Sequence, residues 1–102
     1  MENKKFRKAL KDYLDEAEFE VDTIILDNHA YDWSIVGITE DGRLVYDFNK
    51  MVQEYSEDEG CEIIDAIEWL EYNTLRAIPY MGEGAPIIIR DSFDDIMEKY
   101  GD

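Results

Sequence analysis

Cysteine and histidine occur once each in this chain, proline twice, and lysine and arginine together only ten times. Each scarcity closes a class of function. The single cysteine, Cys61, cannot form an internal disulfide and fits a reducing compartment. The lone histidine, His29, falls short of the three protein ligands that a catalytic zinc site wants unless carboxylates complete the set. The ten bases face 26 acids, for a net charge of -16. Half of those bases, Lys4, Lys5, Arg7, Lys8 and Lys11, stand at the very start of the chain, opposed there only by Glu2. The remainder would repel a polyanion, so direct binding to nucleic acid is not expected; partners selected by charge are basic proteins.

Long apolar runs are missing too. The longest block, Ala85 to Ile89, is far too short to span a bilayer, and the basic start, Met1 to Leu14, leads into no apolar run of signal-peptide length. A soluble cytoplasmic protein without membrane partners is the expectation. Gly-x-Ser-x-Gly and paired Cys-x-x-Cys are absent, and Gly82-Glu83-Gly84 follows a helical pattern without the lysine of a phosphate loop. It reads as a turn, and no cofactor is implied.

What is present is enough to fold. Hydrophobic residues make up 45% and aromatic residues 13% of a 102-residue chain, which suits one domain spanning 1–102 with a modest core. Phe6, Leu10, Tyr13, Leu14 and Ala17 recur at helical spacing, predicting a first helix from Lys4 to about Ala17 whose basic first turns oppose its own dipole. Leaning on the acidic body would give that inversion a reason. Phe19 to Leu26, with Val21 to Ile25 at its centre, reads as a strand, and Asp27 to Asp32 as a turn. Trp33 to Thr39 and Arg43 to Phe48 flank Glu40-Asp41-Gly42, the clearest hairpin signal in the chain.

From Asn49, a candidate cap, the pattern becomes helical with Met51, Val52 and Tyr55 on one face. Glu57-Asp58-Glu59-Gly60 interrupts it, and these acids suit the positive end of a following helix. That helix is read as one long element ended by Pro79, with Ile63, Ile67, Leu70, Thr74 and Ile78 as its core stripe and Ile64, Ala66 and Ala77 at the margins. Gly82 and Gly84 let the chain reverse. Pro86 opens the strand Ile87-Ile88-Ile89, whose apolar run suggests a central position. Ser92 with Asp95 caps a last helix to about Tyr100, with Gly101 as its stop. The order of elements predicts an α+β fold: a small sheet with a β-hairpin, packed by one long helix and by shorter N- and C-terminal helices.

The run Ala66 to Gly82, followed by Ala85-Pro86-Ile87, resembles a block in the short, acidic, uncharacterised proteins of bacterial phage and integrative-element genomes. The resemblance covers about a third of the chain. It implies a bacterial, mobile-element setting, in which small acidic proteins sometimes inhibit host DNA-binding machinery, and it assigns no activity to any residue.

Two constellations could carry function. Trp69, Tyr72 and Arg76 fall at i, i+3 and i+7 on the side of the long helix away from the isoleucine stripe, with Asp65 beside them. Such a triplet has the composition of an interface hot spot, through which the chain could bind a basic protein or self-associate as a homodimer. In a sharper form, the carboxylates of Glu57, Asp58, Glu59, Asp65 and Glu68 would imitate nucleic acid in the basic groove of a host protein. The bland reading is that Trp69 is ordinary packing beneath the first helix and that the acidity serves solubility. The alternative from another class is a small metal-dependent or hydrolase-like enzyme using His29 with Asp27 and Asp32.

Overall fold

The structure, a computed structural model, describes residues 3–101. Its first helix, α1 (Lys4–Ala17), ends in a left-handed residue at Glu18, the only non-glycine residue with positive φ among those described. A 3-10 segment (His29–Ser34) follows an irregular stretch and leads into β1 (Ile35–Ile38) and β2 (Leu44–Asp47). Then come α2 (Phe48–Glu59), α3 (Ile63–Trp69), a π-helical turn (Leu70–Leu75), a 3-10 turn (Ile78–Tyr80), β3 (Ile87–Ile89) and α4 (Phe93–Tyr100). The architecture is α+β: a three-stranded sheet ordered β1-β2-β3, with β1 antiparallel and β3 parallel to β2.

The hairpin forms where Asp-Gly predicts it. Thr39 N–H donates to Arg43 O at 2.8 Å and Gly42 N–H to Thr39 O at 3.1 Å, and Gly42 takes φ 92°. A side chain there would be doubly penalised, since its Cβ would stand 2.5 Å from the Phe19 ring. Trp33 and Ser34 belong to the 3-10 segment rather than to the strand, and Phe48 already begins α2. The turn before it uses the chemistry expected of asparagine, with Asn28 Oδ1 accepting from Ala30 N at 2.9 Å.

The expected strand Phe19 to Leu26 does not form. Both sides of β2 are already taken by β1 and β3, and the stretch makes isolated bonds instead. Ile24 N–H donates to Gly84 O at 3.1 Å, Thr23 Oγ1 to Gly42 O at 2.6 Å, and Leu26 N–H to the Tyr46 hydroxyl at 3.0 Å. Leu26 is buried and Ile24 and Ile25 half-buried, so the β-favouring side chains still cover the core. Burial pushes the Tyr46 phenol up to about 12. A methyl group at Gly84 would overlap the Asp22 carbonyl oxygen. Gly84→Ala is therefore expected to cost about 1–3 kcal/mol by forcing two backbone segments apart. An unchanged urea midpoint would show that the segments separate freely.

The central strand is β2, not β3. Leu44 and Tyr46 are buried, while Ile87, Ile88 and Ile89 are each only half-buried on a strand that pairs on one side. The apolar run reflects the half-buried environment of an edge strand rather than cover on both faces. Asp47, not Asn49, caps α2, its carboxylate accepting from Lys50 N at 3.2 Å. Met51, Val52 and Tyr55 are buried as their spacing predicts.

Glu57, Asp58 and Glu59 end α2 instead of opening α3. Gly60, at φ 68°, is the left-handed C-cap and donates to Ser56 O at 2.9 Å. The acids thus sit at the unfavourable, negative end of their helix, and the glycine outweighs them as a boundary signal. The long helix is also divided, passing from α3 into the π-helical turn at Leu70. Its buried residues are Ala66 and Leu70, whereas Ile63 and Ile64 are exposed and Ile67 and Thr74 half-buried. The line of α3 that meets α2 runs through Ala66 and Leu70, four residues apart, so the core side is turned away from Ile63 and Ile64 and the stripe Ile63, Ile67, Leu70, Thr74, Ile78 is buried fully only at Leu70.

Candidate functional site: an aromatic face rimmed by acids

The aromatic face begins inside the molecule. Buried Tyr31 stacks on Tyr55 with ring centroids 6.4 Å apart, and Tyr55 stacks on Trp69 at 5.8 Å with an interplanar angle of 15°. The indole is therefore packed on one side and open on the other, with 47% of Trp69 exposed. Burial raises the Tyr31 and Tyr55 phenols above the ordinary range, with Glu59 adding to both. The column stays uncharged at neutral pH.

On the outer side, Tyr72 is 69% exposed and its ring carries the Arg76 guanidinium 4.8 Å from its centroid. Asn73 Nδ2 donates to Trp69 O at 3.0 Å, tying the π-helical turn to the end of α3. Trp69, Tyr72, Arg76, Asp65 and Glu68 share one shallow depression with Glu71 and Asn73. Its volume is about 670 Å³ and it is open to solvent, which suits side chains of a partner rather than an enclosed small molecule. Glu71 and Asn73 were not singled out from the sequence, although i, i+3 spacing from Glu68 and i, i+4 spacing from Trp69 would have found them.

The acidic residues are divided. Asp65 and Glu68 rim the aromatic depression. Glu57 and Asp58, with Glu54, border a separate depression lined by Asn28, His29, Ala30 and Trp33. Glu59 borders neither depression but stands close enough to Tyr31 and Tyr55 to act on both phenols.

His29 and Asp32 point to different partners, and Asp27 meets Arg7 Nη2 through its backbone carbonyl, at 3.5 Å. His29 Nδ1 faces Asn3 Oδ1 at 2.9 Å. Asp32, wholly buried, accepts from Arg7 Nε at 2.7 Å and Nη2 at 2.9 Å, and from Asn3 Nδ2. Of the two carboxylates read together with His29, Asp32 is occupied by an arginine. The same pair gives the basic start of α1 its place on the acidic body, with Lys8 bridging to Asp12 at 2.9 Å on the exposed side. Among the described residues, no group of three or more His, Cys, Asp and Glu side chains is arranged to hold a metal ion, and no helix is long and apolar enough to cross a membrane.

No family model, no curated protein and no solved structure matches the chain.

Proposed function

We propose that the chain is a small acidic, non-enzymatic interaction module that receives a basic segment of a protein partner on the face formed by Trp69, Tyr72 and Arg76. The observation that carries this reading is the half-open indole. Trp69 is held by stacking on Tyr55, keeps its outer surface free, and is ringed by Asp65, Glu68 and Glu71. A pre-set aromatic surface loses little conformational entropy on binding, and the carboxylates favour a cationic partner while steering its approach. Mimicry of nucleic acid toward a basic host protein, in a bacterial mobile-element setting, is the specific form of the proposal. In it, Glu57 and Asp58 supply a second acidic surface at their own depression. Self-association through the same face would have to overcome the mutual repulsion of two chains at -16 each.

The test is retention of a basic, nucleic-acid-binding protein from bacterial lysate, its release as salt rises, and its displacement by duplex DNA. Trp69→Ala is expected to lower partner affinity by at least about thirtyfold, a loss of ~2 kcal/mol, while costing the fold only about 1 kcal/mol for the lost stacking. Binding is read by calorimetry and stability by urea titration. A stability loss of about 3–5 kcal/mol, as for a core tryptophan, would instead make Trp69 a packing residue and remove the proposal's basis.

A further inference from the structure

Two carboxyl groups outside the aromatic face each keep one oxygen out of solvent. Asp47 closes β2, is wholly buried and gives one oxygen to the Lys50 N–H. Its other oxygen, Oδ2, is out of solvent and has no hydrogen-bond donor; neither has Asp95 Oδ2, on the first turn of α4. The two carboxyl groups stand close enough for each to act on the other's affinity for a proton. Two carboxylates this close cannot both be charged without strong repulsion. The oxygens have essentially no accessible surface, so a hydrated cation does not fit between them without parting them, whereas a proton does.

Where this pair sits gives it a consequence. From Asp91 to Tyr100, Ser92 and Asp95 alone are even half-buried; Phe93, Ile96, Met97 and Tyr100 are all exposed. Helix α4 therefore meets the body chiefly through its first turn, at Asp95 and at the bond from Asn49 Nδ2 to Asp91. We propose that Asp47 and Asp95 share one proton and that this proton fastens α4 to the junction of β2 and α2, so that the helix is docked in mild acid and released as the pH rises.

The charged groups facing the pair set the direction. Burial and the neighbouring Asp95 raise Asp47 above the usual aspartate range, against the Lys50 N–H and the Lys50 ammonium on α2, which lower it. Asp95 is lowered, first by its hydrogen bond with Asp47, then by Ser92 and by Lys50. A raised Asp47 favours the docked helix in acid, and that contribution is lost as pH climbs through its raised value. A lowered Asp95 favours docking above the ordinary aspartate range, and that contribution is lost as pH falls through its lowered value. Docking is thus strongest with one proton on the pair and weakens on either side.

The experiment uses the intact protein, with carboxyl and Cα carbon shifts of Asp47, Asp95 and α4 followed by NMR from pH 4 to 8. The docked fraction of α4 is expected to fall by up to about tenfold per pH unit on the alkaline side, as loss of one proton requires, while α2 and the sheet stay unchanged. Asp47→Asn keeps an oxygen for the Lys50 N–H and supplies an amide donor to Asp95, so it is expected to hold α4 docked across the range. Asp95→Asn should do the same from the other side. Shifts of α4 that ignore pH, or that still follow it in Asp47→Asn, overturn the proposal. So does docking at neutral pH that is restored by calcium or magnesium and reversed by a chelator, which would put a cation in the proton's place.

Discussion

Arg7→Met is expected to lower the stability of the fold by about 3–5 kcal/mol, a large part of the roughly 5–15 kcal/mol that holds a domain of this size together. The reason lies in Asp32, which is wholly buried and receives two guanidinium bonds, Nε at 2.7 Å and Nη2 at 2.9 Å. Methionine keeps much of the aliphatic stem but leaves a buried carboxylate with only Asn3 for company. It also strands the Leu26 carbonyl, to which Arg7 Nη2 donates at 2.8 Å. The penalty belongs to the orphaned charge rather than to the pair, so Arg7→Met combined with Asp32→Asn should recover part of the loss. Urea denaturation of the two single variants and the double variant measures this. A loss below about 1 kcal/mol for Arg7→Met would class the pair with surface ion pairs and detach α1 from the core it is held to here.

That pair also shows the limit of reading this chain by spacing. Arg7 and Asp32 are joined by folding rather than by any local pattern, and the sequence offers many acids as partners for one arginine. The inverted charge of α1 pointed to contact with the acidic body, but nothing local identified Asp32. Local signals fared better where one residue type has one use. Asp41-Gly42 set the hairpin, Ser92 capped α4 with its Oγ accepting from Asp95 N at 3.1 Å, and Met51, Val52 and Tyr55 marked the buried side of α2. Signals that depend on what lies alongside misled. Val21 to Ile25 has the composition of a strand, yet the sheet had no free edge at β2 for it. Ile87 to Ile89 has the composition of a central strand and forms an edge.

The aromatic face was legible in outline because i, i+3, i+7 spacing survives the passage from α3 into the π-helical turn. Its inner support was not. Tyr55 and Tyr31 come from α2 and the 3-10 segment, and their stacking against Trp69 follows from how α2 meets α3. The exposed triplet and the packed tryptophan, alternatives when read from spacing, coexist in one side chain with two differently occupied faces. The acidic track divides for a similar reason: Gly60 ends α2 after Glu59, so Glu57 and Asp58 stay with α2 while Asp65 and Glu68 turn with α3.

Leu70→Ala is the second large effect, at about 2–5 kcal/mol. Leu70 is wholly buried, in the same core cluster as Met51, Tyr55 and Ala66, at the residue where α3 gives way to the π-helical turn. Truncation removes the contacts of a full side chain and leaves a cavity that a helix anchored at Ala66 is poorly placed to close. Leu70→Met, close in volume, should cost less than about 1.5 kcal/mol. The informative comparison is with the adjacent residue. Trp69 has the larger side chain, so a ranking by size alone would make Trp69→Ala the worse lesion; a ranking by burial makes it the milder. Calorimetric binding and urea titration on both variants should therefore cross: Leu70→Ala loses stability first, and Trp69→Ala loses affinity in a chain that remains folded. Should Leu70→Ala prove the milder for stability, the helix presents the opposite side to the core, Trp69 is buried, and the partner-binding surface proposed for it does not exist.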